Sequence, residues 1–151
     1  MGKRGPTLLV IEDAHDQAIL VGVAARRAHP GLDVRMAHDG REGIAYFEGE
    51  PPFDATRPEP DLVILDLIMP DVDGFEVLGW LNQRYQPLPF SVVVLTGSED
   101  PDDIPRARAL GATDVRRKPT DLLTLGTVVR EIVHEHIGRG EIIAAHLFEM
   151  G

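Results

Sequence analysis

Residues 61–74 have the sequence DLVILDLIMPDVDG, in which Asp66 stands directly after a short apolar run. After Asp61, the run to residue 65 is aliphatic and does not alternate with polar residues. Such runs are typical of strands that are buried on both faces of a parallel sheet. Pro70 and Gly74 punctuate the loop that follows, and Asp73 is a suitable cap for a helix. The segment therefore predicts a strand, a loop and a helix, with a carboxylate at the carboxyl end of the strand.

The same unit recurs along the chain. Similar apolar runs occupy Thr7–Ile11, residues 91–95 and, more weakly, Asp33–Ala37, while the more polar residues 113–117 fit an edge strand. Helix-period patterns fill the intervals, at residues 14–28, 41–47, 74–85, 101–110 and 121–137. Strands that alternate with helices predict an α/β fold, here a doubly wound five-stranded parallel sheet with right-handed crossovers.

Two segments depart from this alternation. Residues 48–60 contain four prolines and are expected to form a long loop before the third strand. Residues 138–151 carry Ile143, Leu147 and Met150 at helical spacing, and an exposed apolar stripe is a candidate interface. This C-terminal extension is a candidate dimerisation helix; a helix folded back on its own domain and a frayed tail are the alternatives. The expected organisation is an N-terminal tail at 1–6, one domain at 7–137 and the extension at 138–151.

The composition narrows the classes of function. The 151 residues suit one domain, and no second domain is expected after residue 137. Cysteine is absent, which excludes thiol catalysis and thiolate metal sites. With 25 acidic and 15 basic residues the formal net charge is −10, which disfavours binding to nucleic acid and to anionic membranes. The sequence shows no targeting or membrane-spanning segment, so a cytoplasmic location is expected.

Chemically active side chains follow the predicted strands. They are Glu12 and Asp13 after the first, Asp66 after the third, Thr96 after the fourth and Lys118 after the fifth. Ligands of an open α/β sheet bind beyond the carboxyl ends of its strands, where these residues would meet. Three carboxylates in one place repel one another unless a cation is present, and oxygen ligands suit Mg²⁺. The lysine and the hydroxyl would bind an anion beside this metal. The whole set therefore predicts a phosphoryl-transfer site with an aspartate nucleophile.

The motifs around these residues resemble those of bacterial response regulator receiver domains, over about residues 7–137. The matches are Glu12-Asp13, Asp66 in LDLIMPDVDG, Thr96 in LTGSE, and Lys118-Pro119 in DVRRKP. The resemblance implies a flavodoxin-like (βα)5 receiver fold with a C-terminal extension. It also implies a two-component phosphorelay protein that is not an enzyme in its own right.

The resemblance also assigns roles and partners. Asp66 is expected to accept a phosphoryl group from a histidine of a sensor kinase, with Lys118 pairing the phosphoryl oxygens and Thr96 reporting their presence. Mg²⁺ is expected on Asp13 and Asp66 directly, on Glu12 through water and on the backbone carbonyl of Ile68. Output is expected through contact with an unidentified downstream protein, in a homodimer. The long loop and the TGS sequence are similar to those of regulators that serve phytochrome-type kinases.

The chain departs from the family pattern at two positions. Val115 stands where most receivers have an aromatic residue, so output by the usual ring rotation is not expected. Ile68 stands where many relatives have a polar side chain, and where a haloacid-dehalogenase-like phosphohydrolase needs an aspartate. The remaining alternative is a phosphorylation-independent docking module of the pseudo-receiver type, which predicts missing acidic or lysine residues. None is missing here.

Four arginines are open to two interpretations, solvated charges or cross-subunit ion pairs: Arg106, Arg108, Arg116 and Arg117.

Overall fold

The computed structural model describes residues 5–138 as five parallel strands and five helices in strict alternation. The strands are β1 (Thr7–Ile11), β2 (Asp33–Ala37), β3 (Leu62–Leu65), β4 (Ser91–Thr96) and β5 (Asp114–Arg117). The helices are α1 (His15–Ala28), α2 (Gly40–Glu48), α3 (Gly74–Arg84), α4 (Asp103–Ala109) and α5 (Leu122–His136). The sheet order is β2-β1-β3-β4-β5, so the predicted doubly wound parallel fold is confirmed. The candidate dimerisation segment lies outside the described residues, apart from Gly138.

Two cores fill the two faces of the sheet, and successive residues of a strand alternate between them. In β1, Leu8 and Val10 join a core beneath α1 and α5, whereas Leu9 and Ile11 join one beneath α2, α3 and α4. Side chains of a strand point to opposite faces with a period of two, so a strand covered on both sides must be apolar throughout. This explains the unbroken apolar runs of the sequence.

The two edge strands differ in burial from the central ones. Every residue of β1 and β3 is buried, while four of the five residues of β2 are only partly so. Asp33 and Arg35 of β2 form an ion pair of 2.9 Å along this edge. The weak apolar signal of β2 and the polar sequence of β5 thus reflect their places at the ends of the sheet.

The proline-rich segment forms a packed loop between α2 and β3, as the sequence predicts. Gly49 ends α2 in the left-handed conformation, with φ of 70°. Arg57 then reaches back and donates hydrogen bonds of 2.6 Å to the carbonyls of Tyr46 and Phe47, which satisfies the last turn of the helix. The Tyr46 hydroxyl donates to the carbonyl of Pro58 at 2.5 Å.

Three helices begin at aspartates that accept a backbone hydrogen bond three residues on. Asp39, Asp73 and Asp121 receive the N–H groups of Glu42, Glu76 and Thr124 at 2.7 to 2.9 Å. Such N-caps fix where each helix starts after its strand-end loop. Within residues 5–138, no helix is both long and apolar enough to cross a membrane.

Candidate functional site

Backbone hydrogen bonds hold three of the predicted site residues directly at the ends of strands. Glu12 donates to the carbonyl of Ala37 at 3.1 Å, and Asp66 donates to the carbonyl of Ile11 at 3.1 Å. Lys118 donates to the carbonyl of Thr96 at 2.7 Å. The parallel ladder therefore continues one residue past β1, β3 and β5, and it fixes where these side chains leave the backbone.

The three predicted carboxylates form one cluster. Glu12, Asp13 and Asp66 each have a carboxylate oxygen within 4.8 Å of the others. Glu12 and Asp66 are buried, at 5% and 7% exposure, whereas Asp13 is exposed. Carboxylate oxygens are the ligands that Mg²⁺ prefers, and an exposed member leaves the cluster open to an incoming ion. The donor set therefore fits Mg²⁺.

Burial makes this cluster electrostatically costly. The pKa of Glu12 is raised above its ordinary value of 4.5, chiefly because burial penalises the charged form. The hydrogen bond from Lys118 acts in the opposite direction, and the negative charge of Asp66 adds to the rise. Three carboxylates beside one lysine leave an excess of formal negative charge, which a divalent cation would offset.

Lys118 lies within the same site, with its side chain 11% exposed. Its ammonium group is 2.6 Å from Oε1 of Glu12 and 3.5 Å from Oδ2 of Asp66. A third acceptor is Oε1 of Gln17, at 2.6 Å. The structure therefore brings the predicted lysine beside the predicted nucleophile.

The backbone after Asp66 folds tightly around it. The Gly74 N–H donates to the carbonyl of Leu67 at 2.9 Å, which closes the loop onto the start of α3. A Cβ at position 74 would lie 2.4 Å from the carbonyl oxygen of Asp66, so only glycine fits. The Ile68 N–H donates to Oδ1 of Asp66 at 3.3 Å, and the Ile68 side chain is 61% exposed. The expected metal contact through the Ile68 carbonyl remains a prediction.

Thr96 is buried at the end of β4 and is tied to the loop that follows. Its hydroxyl accepts the N–H of Ser98 at 3.1 Å. Ser98 in turn donates its hydroxyl to Asp103, the first residue of α4, and accepts a 3.0 Å hydrogen bond from Arg117 at its carbonyl. Hydrogen bonds through Ser98 therefore link the Thr96 hydroxyl to the start of α4 and to the end of β5.

Val115 packs into the core instead of offering an aromatic ring near Thr96, and it is 8% exposed.

The four arginines in question all have partners within the chain. Arg106 lies 3.9 Å from the centroid of the Phe75 ring, Arg117 contacts Ser98, and Arg108 reaches Asp114 at 3.5 Å. Arg116 bridges Asp114, Glu131 and Glu135 at 2.9, 3.4 and 2.5 Å. The cross-subunit interpretation of these arginines stays a prediction.

Sequence reasoning did not anticipate two residues of the site. Gln17 lies in the first turn of α1, the helix that follows Glu12 and Asp13, and residues of such a turn approach the carboxyl end of the sheet. That position was the available signal for Gln17. Arg117 carries no comparable signal, because its contact with Ser98 depends on the path of the β4–α4 loop.

Comparison with known proteins agrees with this geometry. The response regulator receiver domain family matches residues 8–130. The alkaline phosphatase synthesis transcriptional regulatory protein PhoP of Bacillus subtilis is 32% identical over 137 residues, which cover 91% of this chain and 50% of PhoP. The chain thus spans about half the length of PhoP and of similar curated regulators.

Two solved structures have the same fold over nearly all of their length. The phosphorylated cyanobacterial phytochrome response regulator RcpA has a TM-score of 0.80 and 28% identity, covering 88% of this chain and 94% of RcpA. The Mn²⁺-bound form of response regulator Rcp1 has a TM-score of 0.76 and 27% identity, covering 85% of this chain and 92% of Rcp1. The chain belongs to the response regulator receiver domains of two-component systems.

Proposed function

We propose that the chain receives a phosphoryl group on Asp66 from a histidine of a sensor kinase, in a transfer that depends on Mg²⁺. The observation that carries the proposal is the position of Asp66. It is a buried carboxylate beside two further carboxylates, with the Lys118 ammonium 3.5 Å away. A nucleophile, a metal-binding donor set and a cation for the phosphoryl oxygens are thus combined at one end of the sheet.

In the proposed step, a carboxylate oxygen of Asp66 attacks phosphorus, the bond from phosphorus to the kinase histidine breaks, and an acyl phosphate forms. The negative charge of the transition state is spread over three equatorial oxygens, so positioning and cations matter most. Lys118 pairs with one of these oxygens. Thr96 turns its hydroxyl toward the phosphoryl group and gives up the Ser98 N–H that it accepts here.

The metal-binding residues would be Asp13 and Asp66 directly, Glu12 through water, and the carbonyl of Ile68. Mg²⁺ supplies charge neutralisation at the transferring phosphoryl group. The raised pKa of Glu12 supports this assignment, because it reflects a buried carboxylate whose charge is only partly compensated. The Mn²⁺-bound Rcp1 is a related receiver with a divalent ion.

The partners proposed are a sensor kinase of the phytochrome type and an unidentified downstream protein, with a homodimer as the acting form in the cytoplasm. The similarity to RcpA, a phytochrome response regulator, supports the kinase class. The chain transmits a signal by contact in this proposal and does not turn over a substrate as an enzyme.

Acetyl phosphate with Mg²⁺ tests the central step, read by intact-mass spectrometry. We expect the wild type to gain one phosphoryl group and Asp66→Asn to gain none. Asp71→Asn is the matched control, because Asp71 is an exposed carboxylate in the loop just after Asp66, paired with Arg41 at 3.2 Å. It should be phosphorylated like the wild type, and chelation of Mg²⁺ should abolish the reaction in both.

Equal incorporation in the wild type and Asp66→Asn would assign the reaction to another residue and overturn the proposal. No incorporation in the wild type, with Mg²⁺ present and the protein folded, would instead favour phosphorylation-independent docking.

A further inference from the structure

Gln17 is a partner of Lys118 that neither the motifs nor the family roles account for. Its side-chain carbonyl accepts a hydrogen bond of 2.6 Å from the Lys118 ammonium, as short as the contact from that ammonium to Glu12. We propose that Gln17 is a positioning residue that orients Lys118 for phosphoryl transfer to Asp66. This inference rests on the proposed function.

The contacts of the ammonium group are unequal in length. Hydrogen bonds to Glu12 and Gln17 at 2.6 Å engage two of its three donors, while Oδ2 of Asp66 lies farther away, at 3.5 Å. The Asp66 side is therefore the loosely held one, and it is where a transferred phosphoryl oxygen would arrive. Two short contacts hold the ammonium group and leave its third donor for the reaction.

The chemistry of an amide suits this task better than that of a carboxylate. A fourth negative group would add repulsion to the cluster of Glu12, Asp13 and Asp66, and it would compete with the phosphoryl oxygens for the lysine. The Gln17 carbonyl accepts the hydrogen bond without adding charge. A free lysine side chain also loses considerable rotamer entropy when it is fixed, and the protein meets this cost before the phosphoryl donor arrives.

Gln17→Met tests the proposal because it keeps the length and helix propensity of the side chain but removes the acceptor. We expect phosphorylation by acetyl phosphate with Mg²⁺ to slow by about tenfold or more, because a hydrogen bond to a charged group contributes more than a neutral one. Gln83→Met is the matched control, since Gln83 is an exposed glutamine on α3. It should be phosphorylated at the wild-type rate, and Gln17→Ala should behave like Gln17→Met.

A second measurement follows the lysine itself in the metal-free protein. The chain has only two lysines, Lys3 and Lys118, so a lysine-selective NMR spectrum of the ammonium groups contains two signals. We expect hydrogen exchange of the Lys118 ammonium group to be slow in the wild type and in Gln17→Glu, which retains an acceptor oxygen. It should be fast in Gln17→Met, while Lys3 exchanges alike in all three.

The outcomes separate this inference from the proposed function. If the wild type is phosphorylated on Asp66 and Gln17→Met reacts at the same rate, the positioning role is wrong and the proposed function stands. Unchanged exchange of the Lys118 ammonium group in Gln17→Met would also overturn the role. A wild type that accepts no phosphoryl group overturns the proposed function, and with it the role of Gln17 in the transfer.

Discussion

Two buried regions of this domain have opposite electrostatic character. At the carboxyl end of the sheet, Glu12 and Asp66 are 5% and 7% exposed and sit beside a lysine. Between α2 and α3 lie buried and partly buried aromatic rings whose neighbouring centroids are 5.0 to 6.1 Å apart: Tyr46, Phe47, Phe53, Trp80, Tyr85 and Phe90. Burial stabilises the rings and penalises the charges. The two regions are therefore expected to contribute to the stability of the fold in opposite directions.

Phe47 is the centre of the aromatic region. Its ring contacts four others, stacked on Phe90 at 5.4 Å and meeting Tyr46, Trp80 and Tyr85 at 5.9 to 6.1 Å. Phe47 is 3% exposed, and Arg57 of the proline-rich loop donates a hydrogen bond to its backbone carbonyl. The long loop is thus fastened to the same cluster that joins α2 to α3.

Phe47→Ala is expected to give the largest effect, and it tests whether the aromatic and the charged regions are independent. Removing a fully buried ring and leaving a cavity should lower the free energy of unfolding by about 3–5 kcal/mol, measured by urea denaturation. If the two regions are independent, the variant that remains folded should gain the same stabilisation from Mg²⁺ as the wild type. A loss of the Mg²⁺ effect in folded Phe47→Ala would show that the regions are coupled.

Sequence reasoning succeeded where a rule of the fold determines position. Because ligands meet at the carboxyl ends of parallel strands, Glu12, Asp13, Asp66 and Lys118 were predicted to converge, and they do. Helix and strand bounds differ from expectation by at most two residues, which is the usual uncertainty at element ends. Gln17 escaped prediction because its role depends on a side-chain distance that no periodicity encodes.

The aromatic cluster could not be predicted from the sequence either. Phe53 comes from the loop, Trp80 from a partly exposed helix face and Phe90 from just before β4, so no single pattern links them. Phe53 contacts Tyr46 because of the path of residues 49–61, whereas Trp80 and Phe90 contact Phe47 directly. Similarly, the sequence shows that Val115 replaces an aromatic residue, but the link from Thr96 through Ser98 to Asp103 and Arg117 requires the folded loop.

The next largest expected effect is the stabilisation of the folded protein by Mg²⁺, which we expect to bind at the charged region alone. An ion that binds only the folded state at 100 times its dissociation constant raises the free energy of unfolding by about 2.7 kcal/mol. We expect thermal unfolding to shift upward with Mg²⁺ in the wild type and in Asp71→Asn. Asp66→Asn should lose most of the shift, because it removes a central oxygen donor of the cluster.

That experiment also compares the regions in the absence of metal. Neutralising Asp66 relieves repulsion within the carboxylate cluster, so metal-free Asp66→Asn should be at least as stable as the wild type. A marked loss of stability would mean that the pairing of Asp66 with Lys118, at 3.5 Å, outweighs the repulsion, and the two regions would then be less different than proposed.

The smallest effect is the pH dependence contributed by Glu12. Its pKa is raised in the folded state by burial, so between its ordinary value of 4.5 and the higher folded value the folded protein binds more protons than the unfolded chain. Stability of the metal-free protein should therefore fall as pH rises through this window. Glu12→Gln removes the titrating group but keeps an oxygen acceptor for Lys118. The stability of wild type minus variant should decrease with rising pH and level off above the folded pKa.

Taking the difference between the two proteins isolates the contribution of Glu12 from that of distant groups. The lowered pKa values of Asp54 and Asp121, which accept hydrogen bonds from Thr56 and Thr124, concern pH below the window. A difference that rises with pH would mean that the pKa of Glu12 is lowered by Lys118 more than burial raises it. The charged region would then be stabilising in its own right, and the contrast with the aromatic cluster would no longer hold.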